Sequence, residues 1–444
     1  MNTPICDFVR EYARSDARRL HMPGHKGAAF LGIEHLDITE IQGADSLYEA
    51  EGIIAQSEAN ASGIFGCRTL YSTEGSSQCI RAMLYLISLW AGRQGRKALI
   101  AAGRNAHKTF LTAAALLDMD VHWLYPSNPV SYLSCNLTAE ELEAYLESAP
   151  EKPAAVYLTS PDYLGMIADI QGIAAVCHRH GVLLAVDNAH GAYLKFLPES
   201  MHPIDLGADI CCDTAHKTLP VLTGGAYLHL SAQMDAAVGM QAKNALMLFG
   251  STSPSYLILQ SLDAANRYLT DYPGQLSRLI SRLDNLRSRL MQRGYSLYGG
   301  EPLKITIQAK PYGYTGVQLA DILRQHSIEP EFADPDYIVL MITVETDEET
   351  LAYLETVLAQ IPSGAPIADE SPAFAPGERM MTIREAMLSC SQQLPAGRCL
   401  GRILAVPTVA CPPAVPILVC GERIDAHALE CFAYYGIDHC FVVC

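Results

Sequence analysis

Residues 181–191 read GVLLAVDNAHG. Val182 to Val186 form an unbroken apolar run, too short for a typical helix and bounded by Gly181 and Asp187. A strand that is apolar at every position has both faces covered, as in a parallel α/β sheet. The run stops on an acid, Asp187, followed by Asn188 and His190. In open α/β sheets ligands sit beyond the carboxyl ends of the strands. The stretch therefore predicts both a fold class and a place to look for chemistry.

Working outward, the same pattern repeats. KALIAA (97–102), VHWLY (121–125), AAVYLTS (154–160), ADICCD (208–213) and GGAYLHL (224–230) read as further strands. Ala- and Leu-rich segments of helical length lie between several of them, such as AHKTFLTAAALLD (106–118) and IQGIAAVCHRHG (170–181). Strands alternating with helices predict an α/β architecture with a mostly parallel central sheet. YPGQLSRLISRLDNLRSRLMQRG (272–294) has apolar residues at helical spacing and a glycine stop. Strands LKITIQA (303–309) and YIVLMITV (337–344) follow. The predicted organisation is an N-terminal segment over 1–50 that contributes to the active site, a large domain over 51–274 and a smaller C-terminal α/β domain over 275–444. The Pro-rich IPSGAPIADESPAFAPGE (361–378) punctuates the small domain. A helix, RMMTIREAMLSC (379–390), and a Pro-rich strand region, VPTVACPPAVPILVCGE (406–422), are expected after it.

The bulk numbers agree with a globular protein. Of the 444 residues, 50% are hydrophobic and 18% charged. The formal charge of −17, from 31 basic and 48 acidic residues, argues against nucleic acid as the main partner. The 14 cysteines include no CxxC pair, so zinc-type spacing is not met and no metal is expected. Reduced, core-filling thiols in a cytoplasmic protein are the expectation. The polar N-terminus has no signal-peptide pattern, and no apolar run approaches the ~20 residues that span a bilayer.

Chemistry-bearing residues follow the strands. RNAHK places Arg104 and His107 after the KALIAA strand; DNAHG places Asp187 and His190; DTAHKT places Thr214, His216 and Lys217. STEGSSQ places Gly75, Ser76 and Ser77 before the helical CIRAMLYLISLWA (79–91). Singly, each is an ordinary turn, cap or solvated side chain. Together they fit pyridoxal 5'-phosphate. That cofactor needs a lysine for the Schiff base and an acid facing the pyridine nitrogen. It also needs an anion cup such as a helix N-terminus. His-Lys occurs three times, at Lys26, Lys108 and Lys217. Lys26 lies in a Pro-Gly loop and Lys108 in the first turn of a helix. Only Lys217 sits at a strand end downstream of the acid.

HMPGHKG (21–27), RNAHKTF (104–110), DNAHG (187–191) and TAHKTLPVLTGGAYL (214–228) resemble the motifs of the Orn/Lys/Arg decarboxylases, of the fold type I pyridoxal-phosphate superfamily. DITEIQGADSLYEAEGII (37–54) and CPPAVPILVCGE (411–422) are similar to further segments of that family. The resemblance covers about residues 18–425 and is nearest to the short bacterial members. It implies that Lys217 holds the cofactor, Asp187 pairs with the pyridine nitrogen and His107 stacks on the ring. Ser76, Ser77, Thr214 and His216 would hold the phosphate, with Gly75 in the same cup and His190 near the ring hydroxyl. It implies a homodimer with the active site at the subunit interface, open to higher assembly. HMPGHKG starts at residue 21, so the receiver-like N-terminal domain of the large members is not expected, and a role in polyamine biosynthesis is.

The pattern also departs from the family. D-E-A-H is DNAH here, with Asn188; P-T-Y-x-G is PDYLG, with Asp162; D-D-L-H is DSLY, with Ser46 and Tyr48. P-P-G-I-P is PPAVP, and a common glutamine after the lysine is Gly224. The expected reaction is decarboxylation of arginine, lysine or ornithine. A cationic side chain needs a buried acid; of Asp45, Glu49, Glu51 and Glu422, the candidates are Asp45 and Glu422. Transamination, elimination or aldol cleavage on the same cofactor is the alternative, with Arg379, Arg384, Arg398 and Arg402 available to grip a carboxylate. A non-catalytic cofactor-binding regulator is the third reading.

Overall fold

The computed structural model describes residues 1–127, 130–407 and 413–444. Seven strands make the main sheet: β1 (Arg68–Ser72), β2 (Leu99–Gly103), β3 (Asp120–Leu124), β4 (Ala155–Thr159), β5 (Leu183–Asp187), β6 (Ile210–Asp213) and β7 (Ala226–Leu230). The chain divides into two compact units, and β4 contributes residues to both.

The first unit comprises residues 1–98, 152–157 and 170–275. Its strand order is β1-β7-β6-β5-β4. β5 and β6 run parallel, with Asp187 opposite Cys212. β7 pairs antiparallel with both β6 and β1. Every residue of β5, β6 and β7 is buried, which is why they read as continuous apolar runs. β1 is absent from the sequence expectation because RTLYS mixes polar and apolar positions. Helices here include α1 (Ile53–Phe65) and α2 (Gly75–Arg93).

The second unit comprises residues 99–151, 158–169 and 276–444. Strand order there is β4-β2-β3, with β2 and β3 parallel. β2 leads into α3 (Lys108–Leu116). A four-stranded antiparallel sheet, β10-β11-β9-β8, is built from β8 (Ser296–Tyr298), β9 (Lys304–Gln308), β10 (Phe332–Ala333) and β11 (Tyr337–Met341). β12 (Ser391–Pro395) and β13 (His439–Val443) form a two-stranded ladder. The Pro-rich tail departs from expectation: the described residues 413–422 hold no strand. Residues 408–412, including Cys411 and Pro412 of the quoted motif, lie outside the described residues.

Most described cysteines are buried and all are unbridged. Among the described residues no helix is long and apolar enough to cross a membrane.

Candidate active site

In the first unit the carboxyl ends of β5 and β6 bring the expected cofactor residues together. Asp187, 2% exposed, ends β5. The Tyr157 hydroxyl donates to its Oδ2 at 3.1 Å, and the Ala189 N–H and the Cys212 thiol donate to Oδ1 at 3.2 and 3.7 Å. Burial pushes the Asp187 carboxyl up from its ordinary value, opposed by the charge of Lys217. β6 ends at Asp213; Thr214 then leads into a single helical turn, α4 (Ala215–Thr218), that carries His216 and Lys217. Lys217 Nζ lies 2.7 Å from His190 Nε2.

A cup forms where three segments dock. Gly75, at the start of α2, has φ +71°, and its N–H donates to the Gly224 carbonyl at 2.7 Å. The Gly224 N–H donates to His216 Nδ1 at 3.2 Å, and the same ring nitrogen lies 3.3 Å from the Gly225 carbonyl. Burial lowers the His216 pKa, so the neutral form is favoured. Gly224 has φ +100°, and a Cβ there would meet the Thr73 carbonyl oxygen at 2.8 Å. That approach explains why this chain has glycine at 224. Ser76 and Ser77 are half-buried in the first turn of α2. The Thr214 Oγ1 is buried without a hydrogen-bond partner among the described residues. A buried hydroxyl left unpaired is costly and fits an acceptor supplied by a ligand.

In the second unit, His107 caps α3: its Nδ1 accepts the Thr109 N–H at 3.1 Å. The next residue is held by a Lys108 N–H bond to the Ala414 carbonyl at 2.8 Å. Arg104, 2% exposed, ties the Pro-rich tail down. Its guanidinium donates to the Pro416 and Ile417 carbonyls at 2.8 and 2.9 Å. The same group lies over the rings of Trp123 and Phe374. Side-chain donors thus replace the ladder that prolines cannot form.

The two substrate acids are otherwise engaged. Asp45 accepts five backbone N–H groups, from Ser46, Glu51, Gly52, Ile54 and Ala55, at 2.8–3.3 Å. It is the anion at the N-terminus of α1, whose cap position is Gly52. Glu422 is buried, accepts the Val419 N–H at 2.7 Å and lies 3.8 Å from Arg104. Glu49 and Glu51 are exposed. The altered motifs have structural partners too. Tyr48 accepts the Gln78 amide at 2.8 Å, and Ser46 donates to Glu49 at 2.6 Å. Asp162 accepts the Leu164 and Met166 N–H groups of its own turn and the Ser134 hydroxyl. Arg379 pairs with Asp120, Arg384 donates to the Ala115 carbonyl, Arg402 donates to the Val443 carbonyl, and Arg398 is exposed. A cavity of about 560 Å³ in the second unit, lined by Tyr132, Phe332, Asp334 and Tyr434, holds none of the expected cofactor residues.

Sequence reasoning overlooked Tyr157, the donor to Asp187, because it lies inside an apolar strand and reads as core. It named Arg104 without giving it a role.

The model of the Orn/Lys/Arg decarboxylase major domain matches residues 3–306. The chain belongs to the Orn/Lys/Arg decarboxylase family. It is accordingly an amino-acid decarboxylase. It is 28% identical to an arginine decarboxylase of Bacillus subtilis, over 98% of this chain and 94% of that one. It is 27% identical to an arginine decarboxylase of Halalkalibacterium halodurans, over 95% and 91%. Among solved structures, the lysine decarboxylase of Francisella novicida superposes with a TM-score of 0.80 at 17% identity, covering 100% of this chain and 81% of that one. Lysine decarboxylase A of Pseudomonas aeruginosa gives 0.80 at 16% identity, covering 99% and 80%. These likenesses bear out the α/β, fold type I architecture expected from the strand pattern.

Proposed function

We propose that this family member binds pyridoxal 5'-phosphate at the β5 and β6 strand ends and decarboxylates a basic amino acid to its amine and CO2. The observation that carries the reading is the juxtaposition there of buried Asp187, the Lys217–His190 contact at 2.7 Å and the unpaired Thr214 hydroxyl. When bound, the cofactor supplies an electron sink for the carbanion left by CO2.

The residues divide the remaining work. Asp187 is the partner for the ring nitrogen: a buried carboxylate favours a cation beside it, and the Tyr157 hydroxyl fixes its orientation. Lys217 is the attachment point, and His190 Nε2 is placed to take a proton from Nζ and return it. The α2 N-terminus with Ser76 and Ser77, the Thr214 hydroxyl and His216 are the phosphate-holding groups, and Gly75 lets that turn close on Gly224. His107 keeps the stacking role that the family resemblance implies.

The engagement of Asp45 and Glu422 by backbone and Arg104 leads us to assign the substrate's cationic end to neither. Prior commitment of Arg379, Arg384 and Arg402 favours decarboxylation over a transaminase-like grip on the carboxylate. Exposed Leu20, Met22, Phe30 and Leu31, near the HMPGHKG motif, support a homodimer.

The test is borohydride reduction of the cofactor-loaded chain followed by peptide mapping. The cofactor mass belongs on the peptide that holds Lys217. Its appearance at Lys26 or Lys108, or nowhere, refutes the assignment.

A further inference from the structure

One buried group beneath the site is used by no step above. Asp213, the last residue of β6, has zero exposure and meets three polar partners. His202 Nε2 and His229 Nε2 each lie 3.1 Å from its Oδ2. The Asn188 Nδ2 donates to its Oδ1 at 2.7 Å. His229 is held in turn by Thr69 Oγ1, 3.0 Å from its Nδ1. The charge of Asp213 pushes the His229 imidazole up to about 9, against burial, so the pair is ionic at neutral pH. His202, Cys211 and Asp213 also have metal-ligand spacing. Burial holds the Cys211 thiol protonated, however, and all three partners of Asp213 come from the protein.

We infer that Asp213 is a positioning residue for the Asp187–Gly191 turn and acts through the side chain of Asn188. Asn188 is wholly buried and sits between the two strand ends. Its N–H donates to the Cys212 carbonyl at 3.0 Å, and its carbonyl accepts the Gly191 N–H at 2.8 Å. A Cβ on residue 191 would fall 2.0 Å from the Asn188 Oδ1, so only glycine at 191 leaves room for the amide in this position. Asp187 and His190, both buried, flank the anchor of the turn, Asn188. The anchor must be an amide. A carboxylate at 188 would set two carboxylate oxygens 2.7 Å apart in a site without water-facing surface, where both cannot stay ionised.

The hydrogen bond runs in one direction, so it can be reversed. In Asn188→Asp the two acids face each other. In Asp213→Asn the charge that holds the histidines and the Asn188 amide is gone. The double variant Asn188→Asp/Asp213→Asn exchanges the two groups. Its new amide, at position 213, still turns an oxygen to both imidazoles while its NH2 donates to the new carboxylate at position 188. The charge count is also restored. Hydrogen exchange of the peptide spanning residues 184–194 is read on the cofactor-free full-length chain, and cofactor affinity by absorbance titration, at a temperature where all variants are folded.

Each single variant should bind the cofactor about tenfold more weakly and exchange the turn amides faster. The double variant should return to within about threefold of the parent on both. Single variants that melt lower but keep parental exchange and affinity would show a role in stability alone and overturn the inference. So would a double variant no better than the sum of its parts. If Asn188→Asp does not fold, Asn188→Ser, which removes the donor without adding charge, must still accelerate exchange of the turn; parental exchange in it overturns the inference. The affinity readout rests on the proposed function. The exchange readout does not, so a chain that binds no pyridoxal phosphate refutes that function and leaves this inference to be decided by exchange.

Discussion

Replacing Asp45 by asparagine separates a structural acid from a substrate acid. The carboxylate accepts the Ser46 and Glu51 N–H groups on Oδ1 and those of Gly52, Ile54 and Ala55 on Oδ2. Asparagine keeps one acceptor oxygen and turns an NH2 toward the remaining donors, leaving two or three backbone N–H groups of the α1 start unpaired. A lost helix cap costs about 1 kcal/mol. Loss of the charge at a partly buried helix N-terminus costs about 1 kcal/mol more. An unsatisfied buried donor, at about 1 kcal/mol, brings the sum to about 3 kcal/mol. For a domain of this unit's size that lowers the melting midpoint by roughly 5–10 °C. The assay is thermal unfolding by circular dichroism beside steady-state kinetics with arginine, lysine and ornithine. The account predicts a lower midpoint with KM within about twofold of the parent, measured where both proteins are folded. An unchanged midpoint with KM raised about tenfold or more would refute the assignment of Asp45 to the helix and restore it to the substrate.

Three further outcomes follow from the buried charges. Burial raises the Asp162 carboxyl to about 6 from an ordinary 3.8, so the folded state holds its proton more tightly and stability falls as pH rises between those values. Urea titrations of Asp162→Asn should lack that fall, worth about 3 kcal/mol at most. His229 is raised from 6.5 to about 9, so its contribution is complete below pH 6.5 and is lost as pH climbs through 9. His229→Gln should flatten that part of the stability profile, and an unchanged profile would contradict the ion pair with Asp213. Arg104→Met removes two charged bonds to carbonyls and strands buried Glu422, at a cost of about 4 kcal/mol or more in chemical denaturation. Arg104→Met/Glu422→Leu should recover part of it, since the stranded charge is removed.

The sequence made the core of the fold legible where burial is total. β5, β6 and β7 are buried throughout and mostly apolar because both faces are covered, and the ends of β5 and β6 delivered Asp187, Thr214, His216 and Lys217 to one place. β1 was illegible because its polar residues are satisfied inside: Thr69 meets His229, and Ser72 donates to Gln78. The tail around Pro416 read as a strand because its apolar residues are buried. Its carbonyls go to Arg104, however, a partner more than 300 residues away in sequence. Asp45 and Glu422 show the same limit. An acid in a family motif is visible in sequence, but its backbone donors appear only once the chain is folded. Asp213 was visible too, as the first letter of DTAHKT; the two histidines and the amide that converge on it come from three separate segments.

The most direct test of the central claim is product analysis by mass spectrometry. The pyridoxal-phosphate-loaded chain is incubated with arginine, lysine, ornithine and the remaining common amino acids, beside Lys217→Ala. The account predicts an amine lighter than one basic amino acid by the mass of CO2, absent from the Lys217→Ala sample. No amine from any basic amino acid, with the cofactor bound at Lys217, would contradict it.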